Sequence, residues 1–447
     1  MDSIDVHDRR SLERTPAHEV AIECLLAGIE AAHPVVRVGR TISVGDGQLS
    51  IETDDGGGYD LDRFDEVVVV GGGNAAGGFA AALEDELGDS VTGGAVVTDD
   101  SARTNAIDVL PGDHPLPSET GVRSARRVLE VATAAEADDL VIAVVTGGAS
   151  ALLAAPADPL TLADLRAVTG ELLACGASID EINAVRKHCS AIKGGQLARA
   201  ASPATVVTLV LSDVVGDDYS VIGSGPTVPD PSTYADAVTV LERYDLDIPD
   251  AVREYLEAGV DGACPETPTV GDPAFEDTHT HLVGSGRSAL EAARDVAIDR
   301  GYEPLLLSSR VRGEAREAAK THVAIAEESL ATGNPVFPPA VLLSGGETTV
   351  TIRGDGQGGP NQEFALSAAL ELGSGITLAA IDTDGIDGAT EVAGALVDVT
   401  TVEDLAPARA ALDDNDAFTY LKARGDVIET GPTGTNLNDM RVVVVEE

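Results

Sequence analysis

Tryptophan is absent from this 447-residue chain, and aromatic residues make up only 3% of it. Without broad aromatic faces, recognition of bases or sugar polymers by stacking is disfavoured, and a small acid is the ligand class that remains. Lysine is nearly as scarce: Lys187, Lys193, Lys320 and Lys422 are the four, and the other basic residues are arginine. Asp and Glu together number 76 against 29 Lys and Arg, a net charge of −47. Nucleic-acid binding needs a basic footprint, so it is excluded as a partner class. The acids are spread along the whole length, which rules out an acidic tail. Such a balance points to a halophilic protein adapted to very high salt, where repulsion is screened within about 3 Å at 1 M and the charge keeps the chain soluble. An ordinary acidic enzyme is the alternative.

Cysteine is also sparse. Cys24, Cys175, Cys189 and Cys264 are scattered and form no C-x-x-C pair, so neither a structural zinc site nor a disulfide framework is expected. That suits a cytoplasmic location. No run approaches 18 apolar residues without a charge or turn, so no membrane span is expected. The opening Met1-Asp2-Ser3-Ile4-Asp5 is acidic and has no basic or apolar leader pattern, which predicts no secretory signal.

The length calls for two or three domains. Hydrophobic residues make up 43%, enough for buried sheets. Residues from about 10 to 35 read as a helix with Val20, Ile22, Leu25 and Ile29 on its apolar face, stopped by Pro34. Val67 to Val70 is a continuous apolar run, as in a strand covered on both faces. Further strands are expected at Ala95–Thr98, Leu140–Val145, Thr205–Leu211, His281–Val283, Pro304–Leu307, Val341–Leu343, Thr377–Ile381 and Arg441–Val445. Helical stretches lie between most of them. This alternation predicts a parallel, doubly wound α/β sheet. The stretch from about Asp230 to Asp277 is rich in Pro, Asp and Glu and reads as a connection. The expected division is an N-terminal Rossmann-like domain over 1–235, a connecting segment over 236–278 and a smaller α/β domain over 279–447.

The chemistry-bearing segments follow strands. Leu342-Leu343-Ser344-Gly345-Gly346-Glu347 is a strand ending in a glycine turn, and Gly358-Gly359-Pro360-Asn361-Gln362-Glu363 is a second glycine loop. Glycines let backbone N–H groups approach an anion, and Glu347 and Glu363 are carboxylates suited to a hard metal ion. Gly71-Gly72-Gly73-Asn74 follows the first strand and opens a helix. It fits phosphate binding at a helix N-terminus, and it also fits G-x-G-x-x-A loosely, with Asp99 or Asp100 as a ribose acid. Thr146-Gly147-Gly148-Ala149-Ser150 repeats the arrangement. With no histidine nearby in sequence, Ser150 reads as an anion binder rather than a nucleophile. Arg186, Lys187, His188 and Lys193 form a basic cluster whose natural partners are carboxylate or phosphate oxygens. Asp213 directly follows a strand and is placed to hold Mg²⁺ or to accept a hydroxyl proton. Asp217 and Asp218 read equally as solvated acids. Asp384 and Asp387 follow another strand, in a loop that lacks the terminal glutamate of a calcium site. Thr430 to Asn436, with Thr433, is a last glycine–hydroxyl loop.

These segments resemble, in the same order, those of the type 2 glycerate kinases. The matching stretches are Gly112 to Pro115, Thr146 to Pro156, Val185 to Ala198, Leu211 to Pro231, Leu343 to Leu366, Thr383 to Ala395 and Thr430 to Asp439. The resemblance implies ATP- and Mg²⁺-dependent phosphorylation of D-glycerate at its 2-hydroxyl, with no membrane partner and with a homo-oligomer allowed. It implies a Rossmann-like domain, a smaller α/β domain and an active site in the cleft between them. On that kinase reading, the residues themselves suggest Asp213, Lys193, Arg186 and Asn74 as the catalytic group. Gly71, Gly72, Gly73, Gly147, Gly148, Ser150, Ser344, Gly345, Gly346, Asn361 and Thr433 would bind phosphate, nucleotide or substrate. Asp213, Glu347 and Asp384 would be the metal-binding carboxylates. The chain departs from the family pattern twice: Asn74 stands where many members carry a lysine, and Pro360 where many carry an arginine. Both changes remove a cation that would stabilise transferring phosphate. Two other readings stay open, a nicotinamide-dependent hydroxypyruvate reductase and a binding paralogue without catalysis.

Overall fold

The computed structural model describes residues 4–446. Residues 1–3, part of the acidic opening discussed above, lie outside the described residues. By internal contacts the chain forms two compact units. One, the inserted unit, runs from Arg37 to Val283. The other, the terminal unit, combines the residues up to Val36 with those from Gly284 onward.

The inserted unit opens with a small antiparallel sheet of β1 (Ile42–Gly45), β2 (Gln48–Ile51) and β3 (Gly57–Asp60). Its six-stranded sheet contains β4 (Val67–Gly72), β5 (Gly93–Thr98), β6 (Asp108–Pro111), β7 (Leu140–Thr146), β8 (Thr205–Leu211) and β9 (Thr278–Gly284). The strand order is β6-β5-β4-β7-β8-β9, and β6 through β8 run parallel. Every residue of β4 and β7 is buried, as a sheet covered on both faces requires. The order reverses between β4 and β7. In open α/β sheets that reversal opens a crevice at the carboxyl ends of the strands, where ligands bind. The turns Gly71–Asn74 and Thr146–Ser150 leave the sheet at this point.

The stretch read as a connection is a helical layer of the inserted unit. Thr233 caps the helix Tyr234–Arg243 through a reciprocal bond with Asp236, and a second helix spans Asp250–Val260. Val240, Leu241, Val252 and Leu256 close a core with Leu172, Ile182 and Val185. The acids on these two helices, Asp236, Glu242, Asp250, Glu254 and Glu257, lie on outer faces, while the inner faces are apolar.

The terminal unit is built on β10 (Glu303–Glu314), β11 (Ala340–Thr349), β12 (Ile376–Asp382), β13 (Gly394–Val397), β14 (Val427–Ile428) and β15 (Asp439–Val445). Their order is β10-β11-β15-β12-β13-β14. The last strand lies in the middle and pairs antiparallel with both β11 and β12, so this sheet is mixed rather than parallel. The N-terminal helix Pro16–Ala32, capped by Thr15, packs on the helix Gly286–Asp299 and on β15. Its buried Val20, Ile22, Leu25 and Ile29 therefore belong with the C-terminal residues rather than with the Rossmann-like sheet.

Candidate active site

In the inserted unit the turns after β4, β7 and β8 interlock. The Asn74 N–H donates to the Gly147 carbonyl at 2.8 Å, and the Gly73 N–H to Val97 at 3.0 Å. Gly71 has φ 127°, and a Cβ there would fall inside the Val144 carbonyl; one on Gly73 would strike Thr146. These two glycines are required by neighbouring backbone and side chain as much as by any ligand, and Gly72 is packed against Val97 and Leu153. We expect Gly71→Ala to cost about 3 kcal/mol or more, read as a lowered urea midpoint with an unchanged slope. A drop below about 1 kcal/mol would show that the turn relaxes freely.

Gly147 and Gly148 serve another purpose. A Cβ on Gly147 would overlap the Asp213 carboxylate, and one on Gly148 would overlap the Asn74 amide and approach His114 at 3.2 Å. The half-buried Asp213 thus lies over the β7 turn, and Asn74 and His114 lie beside it. Asn74 Nδ2 donates to Asp99 Oδ2 at 2.9 Å. The turn that carries a lysine in many family members therefore holds a neutral amide already bonded to an acid. Asp99, the candidate ribose acid of the dinucleotide reading, is the partner of that bond.

The basic cluster separates into structural and available groups. Lys187 is buried against Asp230 at 3.1 Å, and Asp230 also accepts from Ser232. His188 spans from the Ala184 carbonyl, at 2.6 Å, to Glu266, at 2.7 Å, and so clips the helix Ile179–His188 to the segment around Thr267. Lys193 is 5% exposed and donates to the Leu153 carbonyl at 3.0 Å. Burial, with the nearby Arg186 charge second, brings its pKa down to about 7. Ser150 Oγ meets Ser224 Oγ at 2.9 Å, and Ser224 donates to Asn183 Oδ1 at 3.0 Å. Ser224 and Asn183 were not singled out in the sequence.

In the terminal unit carboxylates gather at one end of the sheet. Register places Gly346 and Asp382 opposite Asp439. Asp439 accepts from Asn361 Nδ2 at 2.6 Å, from the Thr348 N–H at 2.8 Å and from Arg441. Burial, then Asp384 and Asp439, hold the Asp382 carboxyl well above the usual carboxylate range. Desolvation by neighbouring groups, then Asp439, also raises the Glu347 carboxyl, although that residue is solvent-exposed. Asp384 caps its own loop by accepting from the Ile386 N–H at 2.7 Å.

Several expected ligand groups are structural. The N-terminus of the helix Pro360–Ala369 already holds an anion: Asp387 accepts the Asn361 and Gln362 N–H groups at 3.0 and 2.8 Å. Burial pushes Asp387 up to about 6. The glycine loop 358–359 closes over that carboxylate. Asn361, fully buried, ties Asp387 to Asp439. Ser344 is 1% exposed and bonds His322 Nε2 at 2.7 Å, and burial lowers the His322 pKa to about 4. Gly346, with φ 134°, abuts the Val311 backbone, and Gly345 abuts that of Asp439. Thr433 donates to the Thr383 carbonyl at 2.6 Å and so ties its loop to the Asp384 loop. Glu363 is paired with Arg316 at 2.8 Å and with Asn415 at 2.9 Å, which removes it as a metal ligand. Among the described residues, no three His, Cys, Asp or Glu side chains form a ready-made metal cage.

Residues 20–257 match a family described as a domain of unknown function, DUF4147, and residues 340–439 match the MOFRL family. A glycerate 2-kinase of Pyrococcus horikoshii is 37% identical, covering 96% of this chain and 97% of its own. A protein of Agrobacterium vitis, provisionally named a hydroxypyruvate reductase, is 45% identical over 82% of this chain and 84% of its own. The crystal structure of a glycerate kinase from Thermotoga maritima superposes with a TM-score of 0.83 at 35% identity, covering 96% of this chain and 99% of its own. Two matched families in tandem, an end-to-end relative and a shared fold lead to one assignment: this chain belongs to the glycerate 2-kinase family.

Proposed function

We infer that this protein transfers the γ-phosphoryl group of ATP to the 2-hydroxyl of D-glycerate, giving 2-phosphoglycerate. The observation that carries this reading is the end-to-end likeness to the Pyrococcus glycerate 2-kinase, joined to the convergence of Asp213 with the β4 and β7 turns. In this reading Asp213 accepts the proton of the attacking hydroxyl. The main-chain N–H groups around Gly147, Gly148 and Ser150 cradle phosphate oxygens, while Arg186 and Lys193 supply positive charge for anionic substrates. Asn74 contributes a hydrogen bond without charge.

Mg²⁺ enters phosphoryl transfer with the nucleotide and needs only one or two protein carboxylates. Asp382, which burial and then its neighbours Asp384 and Asp439 raise, forms with Asp384 a pair of that kind, because a divalent cation offsets both the lost solvation and the repulsion; Glu347, raised by desolvation and then by Asp439, is a further candidate. Asp213 is the other candidate. Such an ion would neutralise charge on the phosphate oxygens.

The net charge of −47 supports work in concentrated salt and in a soluble compartment. Among the described residues no helix is long and apolar enough to cross a membrane. The test is an assay with ATP, Mg²⁺ and D-glycerate in multimolar KCl, resolving 2- from 3-phosphoglycerate. We expect 2-phosphoglycerate, with activity lost as KCl falls below about 1 M. The name of the Agrobacterium relative supports a second reading, reduction of hydroxypyruvate. NADH oxidation with hydroxypyruvate, in the absence of any phosphorylated product, would select it.

A further inference from the structure

One cluster in the inserted unit has more donors than acceptors. Asn183 and Arg186 sit three residues apart on the helix Ile179–His188, so they share a face. Asn183 is 3% exposed; its Oδ1 is taken by Ser224, and its Nδ2 has no partner among the described residues. Arg186 is half-buried and has no ion pair or hydrogen bond among the described residues, and burial lowers its pKa. Lys193 uses one of three donors, on a carbonyl rather than an acid. The loop Lys193–Gly195 is fixed to Ser224–Gly225 by bonds of 2.9 and 2.7 Å, so these groups are held by one frame.

Buried cations elsewhere in the chain do find acids. Lys187, beside Arg186 on the same helix, is neutralised by Asp230, and Arg316 by Glu363. In a chain of 76 acidic residues, two neighbouring interior cations without one mark a place kept for an external anion. An uncompensated buried charge is costly, and an unpaired buried amide adds to that cost.

We propose that Arg186, Lys193 and the Asn183 amide form the pocket that receives the carboxylate of the acceptor acid. The proposal rests on the kinase reading for the identity of that acid. A single planar carboxylate matches a guanidinium fork with two further donors. A polyphosphate carries several charges and its own metal, and it is better served by the glycine turns.

The test is direct binding, by calorimetry in concentrated KCl, to the full-length wild type and to Arg186→Gln. We expect the substitution to weaken D-glycerate by about thirty-fold or more and ATP by less than about three-fold. Arg186→Lys should fall between the two, and Asn183→Ala should weaken D-glycerate by about five-fold. Glyceramide, which lacks the carboxylate, should bind neither wild type nor variant. Unchanged D-glycerate affinity in Arg186→Gln, or no D-glycerate binding by the wild type, overturns the pocket. A larger loss for ATP than for D-glycerate makes it a phosphate site and overturns the assignment. Binding needs no turnover, so the two readings fail separately. A wild type that binds D-glycerate through Arg186 but does not phosphorylate it leaves the pocket and removes the kinase. A wild type that phosphorylates it, beside an Arg186→Gln that binds it normally, does the reverse.

Discussion

Asp213→Asn is expected to lower kcat for glycerate phosphorylation by about a thousand-fold, with KM for either substrate changed by less than about three-fold. The carboxylate lies over the Gly147 turn at the end of β8, and asparagine fills the same space. The substitution removes basicity and charge but keeps packing, so unfolding should be nearly unaffected. An effect confined to kcat follows because proton acceptance stabilises the transition state and not the bound substrate. Steady-state kinetics in saturating KCl would check it. A variant with more than half the wild-type kcat would show that Asp213 only shapes the turn. A change confined to the Mg²⁺ requirement would assign it to the metal instead.

Lys193→Met should abolish measurable activity and at the same time stabilise the fold by about 1–4 kcal/mol near pH 7. The side chain is almost completely buried, and its pKa falls from 10.5 to about 7. Methionine has similar reach and no charge to desolvate. The sign of the pH dependence follows from linkage. The folded pKa lies below the unfolded one, so the unfolded chain binds more protons between pH 7 and 10.5. This group therefore penalises stability most below pH 7, and the penalty fades as pH rises towards 10.5. The wild type should gain Tm between pH 6.5 and 9.5 relative to Lys193→Met, measured by calorimetry at constant KCl. A variant less stable than the wild type at pH 6.5 would mean that the Lys193–Leu153 bond outweighs the burial of charge.

Strands with continuous apolar runs were legible in the chain, because a buried parallel strand has only one kind of sequence. Val67–Val70 and Leu140–Val145 both fall within observed strands. The short strands β1 to β3 were not legible, since four-residue segments between Gly and Asp turns carry no sustained period. The turns bearing Gly147 and Asp213 were recognisable from glycine and acid placed after a strand. Asp439 carried no such signal. It matters because β15 inserts between β11 and β12, and that placement is set by the whole sheet rather than by nearby residues. Asp387 shows the opposite problem. The loop before Asn361 looks like an anion cradle, and it is one, but the anion is the protein's own carboxylate. Asn74, a neutral amide bonded to Asp99, supplies no positive charge at that turn, which shifts attention to the helix that carries Arg186.

The order of the chain has a consequence for its biogenesis. The terminal unit draws the helix Pro16–Ala32 from before the inserted unit and its middle strand, Asp439–Val445, from well after it. During synthesis the inserted unit emerges whole and can close its own sheet while the terminal unit still lacks the strand that joins its two halves. Until β15 emerges, β11 and β12 have no central partner, and the helix Pro16–Ala32 has no β15 to cover. The nascent chain must therefore carry an open, apolar half-sheet until residues 439–445 have emerged, and that one late segment decides whether the unit closes.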